Sequence, residues 1–276
     1  MKRKLTQEQI DQVVHMYTIE KMGTVEIGKK MGVSYQTVNS RLRERNVNIT
    51  HASYKLNDNY FSKIDTEQKA YFLGLLYADG NLHRTKYKTT LVLSEKDKYI
   101  IEEFRKELDT KKPIYYVKER KIAGTSYTGK AAAKLEISSQ QIHRDLITHG
   151  CTPAKSLTLN FPSTVPKNFM NHFIRGYFDG DGCIYNSQNR IMINVIGSEN
   201  FCKSFVDFLK VKLDILTKVK SEKRGLSFYF SIMKIKDVVK FCEFIYSNST
   251  VKLQRKYQKY IDYLETENWE KNGTNN

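Results

Sequence analysis

Cysteine is scarce: Cys151, Cys183, Cys202 and Cys242 stand far apart and form no CxxC pair. Neither a disulfide framework nor a zinc site is indicated, and a reducing compartment fits best. Long apolar runs are missing as well, and none approaches the roughly 18 residues that a membrane span needs. The start, MKRKLTQEQIDQVV, is basic but has no apolar signal-peptide core. The six histidines show no metal-ligand spacing, and the glycines lack the Lys-Ser/Thr ending of a nucleotide-binding P-loop. A soluble, intracellular (cytoplasmic) protein with no membrane partner is expected.

Acidic residues are in deficit too. Lys plus Arg number 46 against 30 Asp plus Glu, a formal charge of +16. Such an excess points to a polyanionic partner, most often nucleic acid. Residues 1–50 hold nine basic and five acidic side chains, so most of the excess lies beyond them and a basic tail does not account for it. With 276 residues, 40% of them apolar, the chain is long enough for a sizeable core, in one large domain or two to three small ones.

At the front, TQEQIDQVVHMYTIE places Ile10, Val13, Val14 and Tyr17 on one helical face, with Thr6 as N-cap. In TVEIGKKMGVSYQTVNSRLRERNV, Thr24 is expected to cap a short helix bearing Val25, Ile27 and Met31. Gly32 permits a turn, Ser34 caps a third helix, and Val38 and Leu42 face inward. Small Gly28 allows the second and third helices to approach. This pattern resembles a helix-turn-helix DNA-binding module. The resemblance implies that the third helix enters the major groove with Tyr35, Gln36, Asn39 and Arg43 outward, Gln and Asn suited to adenine and Arg to guanine. Residues 51–66, with little periodicity, read as a linker ending near Thr66, a cap for the next helix.

Two later segments match at an offset of 102 residues, AYFLGLLYADG (70–80) and HFIRGYFDGDG (172–182). Gly74 corresponds to Gly176, Ala78 to Gly180, Asp79 to Asp181 and Gly80 to Gly182. Small residues four apart allow two helix backbones to approach closely. The glycine after each aspartate is expected to take the left-handed conformation that ends a helix. Each aspartate then lies at a helix C-terminus, where the backbone dipole is itself negative. If the helices pack side by side and parallel, Asp79 and Asp181 converge and repel unless a cation lies between them. Mg²⁺, a hard oxygen-seeking ion, suits that place. An EF-hand loop is excluded at DGDG, because Tyr177 and Gln188 stand where its first and last acids belong.

Each motif is followed by strands and helices in the same order: helix, two strands, helix, two strands, helix. In the first half these are TTLVLS, DKYIIEEFRKEL, PIYYVKE, AKLEIS and SQQIHRDLITHG. In the second they are RIMINVI, ENFCKSFVDFLKVKL, LTKVKSE, GLSFYFSI and KDVVKFCEFIYS.

Residues 60–262 resemble a single-chain LAGLIDADG homing endonuclease, a family named for this paired helix. The resemblance implies an α+β fold, a pseudo-two-fold duplicated αββαββα arrangement with two antiparallel DNA-binding sheets. Preceding it is the small all-α module at 1–50, then the linker 51–66, half 1 at 67–160 and half 2 at 161–276. It also implies a monomer acting on double-stranded DNA. Phosphodiesters would be hydrolysed with divalent metal across the minor groove, leaving short 3′ overhangs. In the family the final acid binds metal, which selects Asp79 and Asp181; the backbone of Ala78 receives no role. Motif one has Tyr77 where the consensus has its first acid, which motif two keeps as Asp179.

Polar rows of the strands are expected to contact DNA: Lys86, Lys88 and Thr90; Gln188, Arg190 and Asn194; Lys218 and Lys220; Ser227, Tyr229 and Ser231. A basic residue near the scissile phosphate is expected in TPAKS and KLQRKY, as Lys155 and Lys256, with Lys252 and Arg255 as rivals in the second stretch. No HNH-type nuclease pattern is present. Relatives that assist intron RNA splicing, and a DNA-binding regulator that does not cut, are the alternative readings; two retained acids speak against pure binding.

Overall fold

The computed structural model describes residues 5–20, 22–49, 54–121, 124, 128–187, 190–222 and 227–265. The chain divides into two compact units, Met1–Tyr54 and Lys55–Asn276.

The first unit holds helices α1 (Gln7–Thr18), α2 (Thr24–Met31) and α3 (Tyr35–Glu44). Thr6 opens α1 with a reciprocal cap: its hydroxyl accepts from the Gln9 N–H at 3.3 Å, and the Gln9 side chain accepts from its N–H at 3.0 Å. Ser34 caps α3 through the Thr37 N–H at 3.2 Å. Gly23, not Thr24, is the N-cap of α2, and Val25 is exposed rather than inward. On α1 the buried stripe is Ile10, Val13 and Met16, with Val14 and Tyr17 at its margin. The core closes on Ile27, Val38 and Leu42. Gly32 ends α2 in the left-handed region at φ 66°. A side chain at Gly28 would press on the backbone of Val33 and Tyr35, so its small size allows α3 to follow α2 closely.

The second unit runs α4 (Glu67–Asp79), β1 (Gly80–Leu82), β2 (Lys88–Ser94), α5 (Lys98–Glu107), β3 (Tyr115–Val117), β4 (Arg120–Lys121), β5 (Thr128–Gly129), β6 (Ala132–Ser138) and α6 (Gln140–Thr148). It continues with α7 (Met170–Asp181), β7 (Gly182–Ser187), β8 (Arg190–Gly197), α8 (Glu199–Leu213), β9 (Lys220–Ser221), β10 (Phe228–Ile232), α9 (Ile235–Tyr246) and α10 (Gln254–Glu265). Two four-stranded antiparallel sheets result, in the orders β1-β2-β6-β3 and β7-β8-β10-β9. Alternation sends Leu91, Leu93, Leu135 and Ile137 inward in one sheet and Ile191, Ile193, Val195 and Phe230 inward in the other. Part of the stretch expected to link the units belongs to this core, since Tyr60, Phe61 and Ile64 are buried in it.

Helices α4 and α7 lie at the centre. Every residue from Tyr71 to Tyr77 is buried, which fits a helix apolar on all sides. A side chain on Gly74 would collide with the Phe173 carbonyl, and one on Gly176 with the Tyr71 carbonyl. One on Gly180 would meet Ala78 and Asp79. The contacts advance together along both helices, so the two run parallel with their backbones touching. The glycines' cost in helix propensity, up to ~1 kcal/mol each, is met by this approach.

Gly80 and Gly182 differ from the expected left-handed stop. Both are extended, at φ −73°, ψ 142° and φ −92°, ψ 159°, because each helix passes directly into a strand, β1 or β7. Glycine is needed there for room: a side chain at Gly80 would strike Leu76, and one at Gly182 would strike Phe178.

Candidate active site

Asp79 and Asp181 are the last residues of α4 and α7, and the parallel packing brings them to one end of the helix pair. A methyl group at Gly180 would lie only 3.0 Å from Asp79 Oδ2, so the carboxylate of one helix abuts the backbone of the other. Burial, then the neighbouring Asp181 charge, pushes the Asp79 carboxyl up to about 6. Burial raises Asp181 as well, against the pull of Lys155 and Lys256. Asp79 is nonetheless exposed at its surface and Asp181 half-buried, so a ligand can reach both.

Lys155 and Lys256 are 8% and 4% exposed, unusual for lysine. Lys155 Nζ donates to the Gly80 carbonyl. Lys256 Nζ donates to the carbonyls of Phe178, Asp179 and Gly182 at 2.6, 2.7 and 2.5 Å, and lies 5.1 Å from the Phe178 ring centre. Each ammonium thus sits at the negative end of a motif helix, beside the acids. Burial pulls Lys256 down to about 8. Its rivals point elsewhere. Lys252 donates to Ser249 at 2.9 Å, and Arg255 Nε donates to Asp97 at 3.0 Å.

Among the described residues no three His, Cys, Asp or Glu side chains converge to hold a metal ion. A metal here would be held by Asp79 and Asp181. Two crowded carboxylates with raised proton affinity form an all-oxygen donor pair, which fits Mg²⁺.

From Asp181 a cleft of about 710 Å³ extends over the outer face of the second sheet, lined by Cys183, Tyr185, Asn194, Ser221, Glu222 and Tyr229 among others. Asn194 and Tyr229, two of the expected contact residues, therefore share a surface with the acid. Arg190, Lys218 and Lys220 are exposed, and Lys220 pairs with Tyr229 across the strands. Ser227 and Ser231 are half-buried. Gln188 lies outside the described residues. On the first sheet Lys86 is exposed, whereas Lys88 is tied to Glu136 at 2.6 Å beside half-buried Thr90. In the front unit Tyr35, Gln36 and Arg43 are exposed on α3 and Asn39 is half-buried.

Sequence reading missed α10 and the role of Asp179. Lys256, Tyr260 and Tyr263, buried along α10 at helical spacing, carried a signal that surrounding polar residues obscured. Asp179 is 1% exposed and accepts from the Tyr71 hydroxyl and the Leu253 N–H, both at 2.8 Å. Arg175, fully buried, pairs with Glu67 at 2.6 Å and donates to the Val251 and Ile245 carbonyls, each at 2.8 Å.

The second motif and the elements after it, residues 168–246, match the profile of a LAGLIDADG-like domain. Among solved structures, the chain is similar to the homing endonuclease I-WcaI bound to its DNA recognition sequence. Identity there is 14%, 79% of this chain and 96% of that one are covered, and the TM-score is 0.52. It is also similar to the LAGLIDADG homing endonuclease I-LtrWI bound to target DNA (16% identity; 78% and 96% covered; TM-score 0.46). I-DmoI in complex with DNA and Ca matches at 15% identity, with 71% and 97% covered and a TM-score of 0.46. No curated protein sequence matches. The I-WcaI likeness shows a shared mixed helix-and-sheet fold. No helix among the described residues is long and apolar enough to cross a membrane.

Proposed function

We propose that the protein is a site-specific double-strand DNA endonuclease of the homing type. The observation that carries this reading is the parallel α4–α7 pair, which delivers Asp79 and Asp181 to one place with a buried lysine beside each. The two αββαββα halves are read as pseudo-two-fold copies, each sheet following the DNA groove with its outer polar rows. A divalent metal bound by Asp79 and Asp181 would supply Lewis acidity and an activated water for phosphodiester hydrolysis. The chain's own part is electrostatic and positional. The carboxylates concentrate negative charge where a cation is to be held, and Lys155 and Lys256 set fixed positive charge beside it, suited to the charge that develops on phosphate. Cuts across one minor groove would leave short 3′ overhangs. The front unit is read as a helix-turn-helix reader using Tyr35, Gln36, Asn39 and Arg43.

The test is incubation of the full chain with a duplex library, with Mg²⁺ or with chelator, followed by sequencing of new ends. A defined site cut only with metal supports the reading, and failure to cut any duplex refutes it. Deleting residues 1–50 should shorten the footprint on one side while keeping the cut positions; an unchanged footprint would remove the reader assignment.

A further inference from the structure

We infer that the residue two places before each motif acid, Tyr77 in one half and Asp179 in the other, is a positioning residue for the lysine of its own half. We further infer that Asp179 acts together with Tyr71 and Tyr99 of the first half. The inference rests on the endonuclease reading and asks what fixes each ammonium.

In the first half the Tyr77 hydroxyl donates to the His149 carbonyl, just after α6. It also lies against Gly150, whose φ of +93° is left-handed. The turn is pinned a second time where Cys151 Sγ donates to the Leu76 carbonyl at 3.5 Å. Four residues on, Lys155 reaches the Gly80 carbonyl. One phenol therefore fastens the segment that carries the lysine to the helix that carries Asp79.

In the second half the polarity is reversed. Asp179 Oδ2 accepts the Leu253 N–H at 2.8 Å, and the Lys256 N–H donates to the Leu253 carbonyl at 3.0 Å, which starts α10 one turn before the ammonium. The same oxygen accepts the Tyr71 hydroxyl, which comes from α4. Tyr99 of α5 accepts the Gln254 N–H at 2.7 Å and donates to the Lys252 carbonyl at 3.2 Å. Residues of the first half thus clasp both sides of the turn that leads to Lys256. Asp179 Oδ1 is buried without a hydrogen-bond partner. Burying an acid with one oxygen unpartnered is costly, and its connection to α10 gives it a purpose.

The experiment uses the full chain and the duplex that it cuts, with each strand labelled separately. Tyr77→Phe is expected to slow one strand tenfold to about a hundredfold, and Tyr71→Phe with Tyr99→Phe to slow the other, as misplacement of a catalytic group does. These changes remove hydroxyls with little loss of volume; Asp179→Asn should follow the second pattern. Adding the tyrosine pair to Lys256→Met should cost that strand nothing further, because the group being positioned is already gone. Equal slowing of both strands in every variant, or full additivity with Lys256→Met, overturns the inference while leaving the endonuclease reading intact. If the unaltered protein cuts neither strand of any duplex, the endonuclease reading fails and this inference fails with it.

Discussion

The half built on α4 and the half built on α7 share an outline and differ in their wiring. Each sheet has the same strand order, and each motif helix ends in an aspartate with a lysine at its terminal carbonyls. The interior contacts are not copied. Where the second half has Arg175, the first has Leu73; where the second has Asp179, the first has Tyr77. The first half is held by apolar packing and a phenol, the second by a buried ionic network that reaches back to Glu67. The backbone outline is common to both halves while the polar contacts behind it differ. The two sites are alike at the acids and unlike one layer behind them.

The sharpest way to break the likeness is at the acids themselves. Asp79→Asn and Asp181→Asn should each lower double-strand cutting by at least about 10²–10³-fold, the scale expected when one charge-stabilising group is removed. Binding in a gel-shift titration should persist, and wild-type rates would remove the site assignment. The difference between halves is tested by Arg175→Leu, which gives the second half the residue found in the first. Glu67 would lose its buried partner, and breaking such a pair costs about 3–5 kcal/mol; urea unfolding should show that loss, whereas Leu73→Ala should behave as an ordinary core truncation.

The glycine contacts are a likeness, and they should respond alike. Gly74→Ala and Gly176→Ala each drive a methyl group into a carbonyl of the opposite helix. Overpacking of this kind costs about 1–3 kcal/mol, measurable as a lower melting temperature in both. A drop in one variant alone would show that the helix pair is less symmetric than its contacts.

The smallest expected effect is on pH. Cutting should rise as pH increases through about 6, where Asp79 loses its proton, and fall above about 8, where Lys256 loses its charge. Lys256→Met should remove the alkaline limb. For folding without metal the sign is opposite on the acid side. Because burial raises Asp79, the native state binds more protons than the unfolded chain between its ordinary value of 3.8 and about 6, so its contribution weakens as pH rises across that window.

Much of this was legible in the sequence because it is periodic. The paired glycines, the alternating strands and the caps at Thr6, Ser34 and Thr66 are local patterns, and each stands where its spacing placed it. The conformations of Gly80 and Gly182 were not legible, since a glycine after an aspartate ends a helix equally well by turning or by running straight on. Nor was the Asp179–Leu253 contact, whose partners lie 74 residues apart. The choice among Lys252, Arg255 and Lys256 needed α10: Lys256 reaches the end of α7, Arg255 on the same helix turns to Asp97, and Lys252, before the helix starts, donates to Ser249.

The unbroken passage from α4 into β1, and from α7 into β7, has a mechanical meaning. No loop residue separates Asp79 from β1 or Asp181 from β7. If the sheets bind DNA as proposed, a change in curvature of either sheet would reach the neighbouring acid directly through this junction. On the endonuclease reading, a poorly matched surface would be felt as misalignment at the carboxylates, so that sensing the fit and readiness to react would be properties of one continuous piece of backbone.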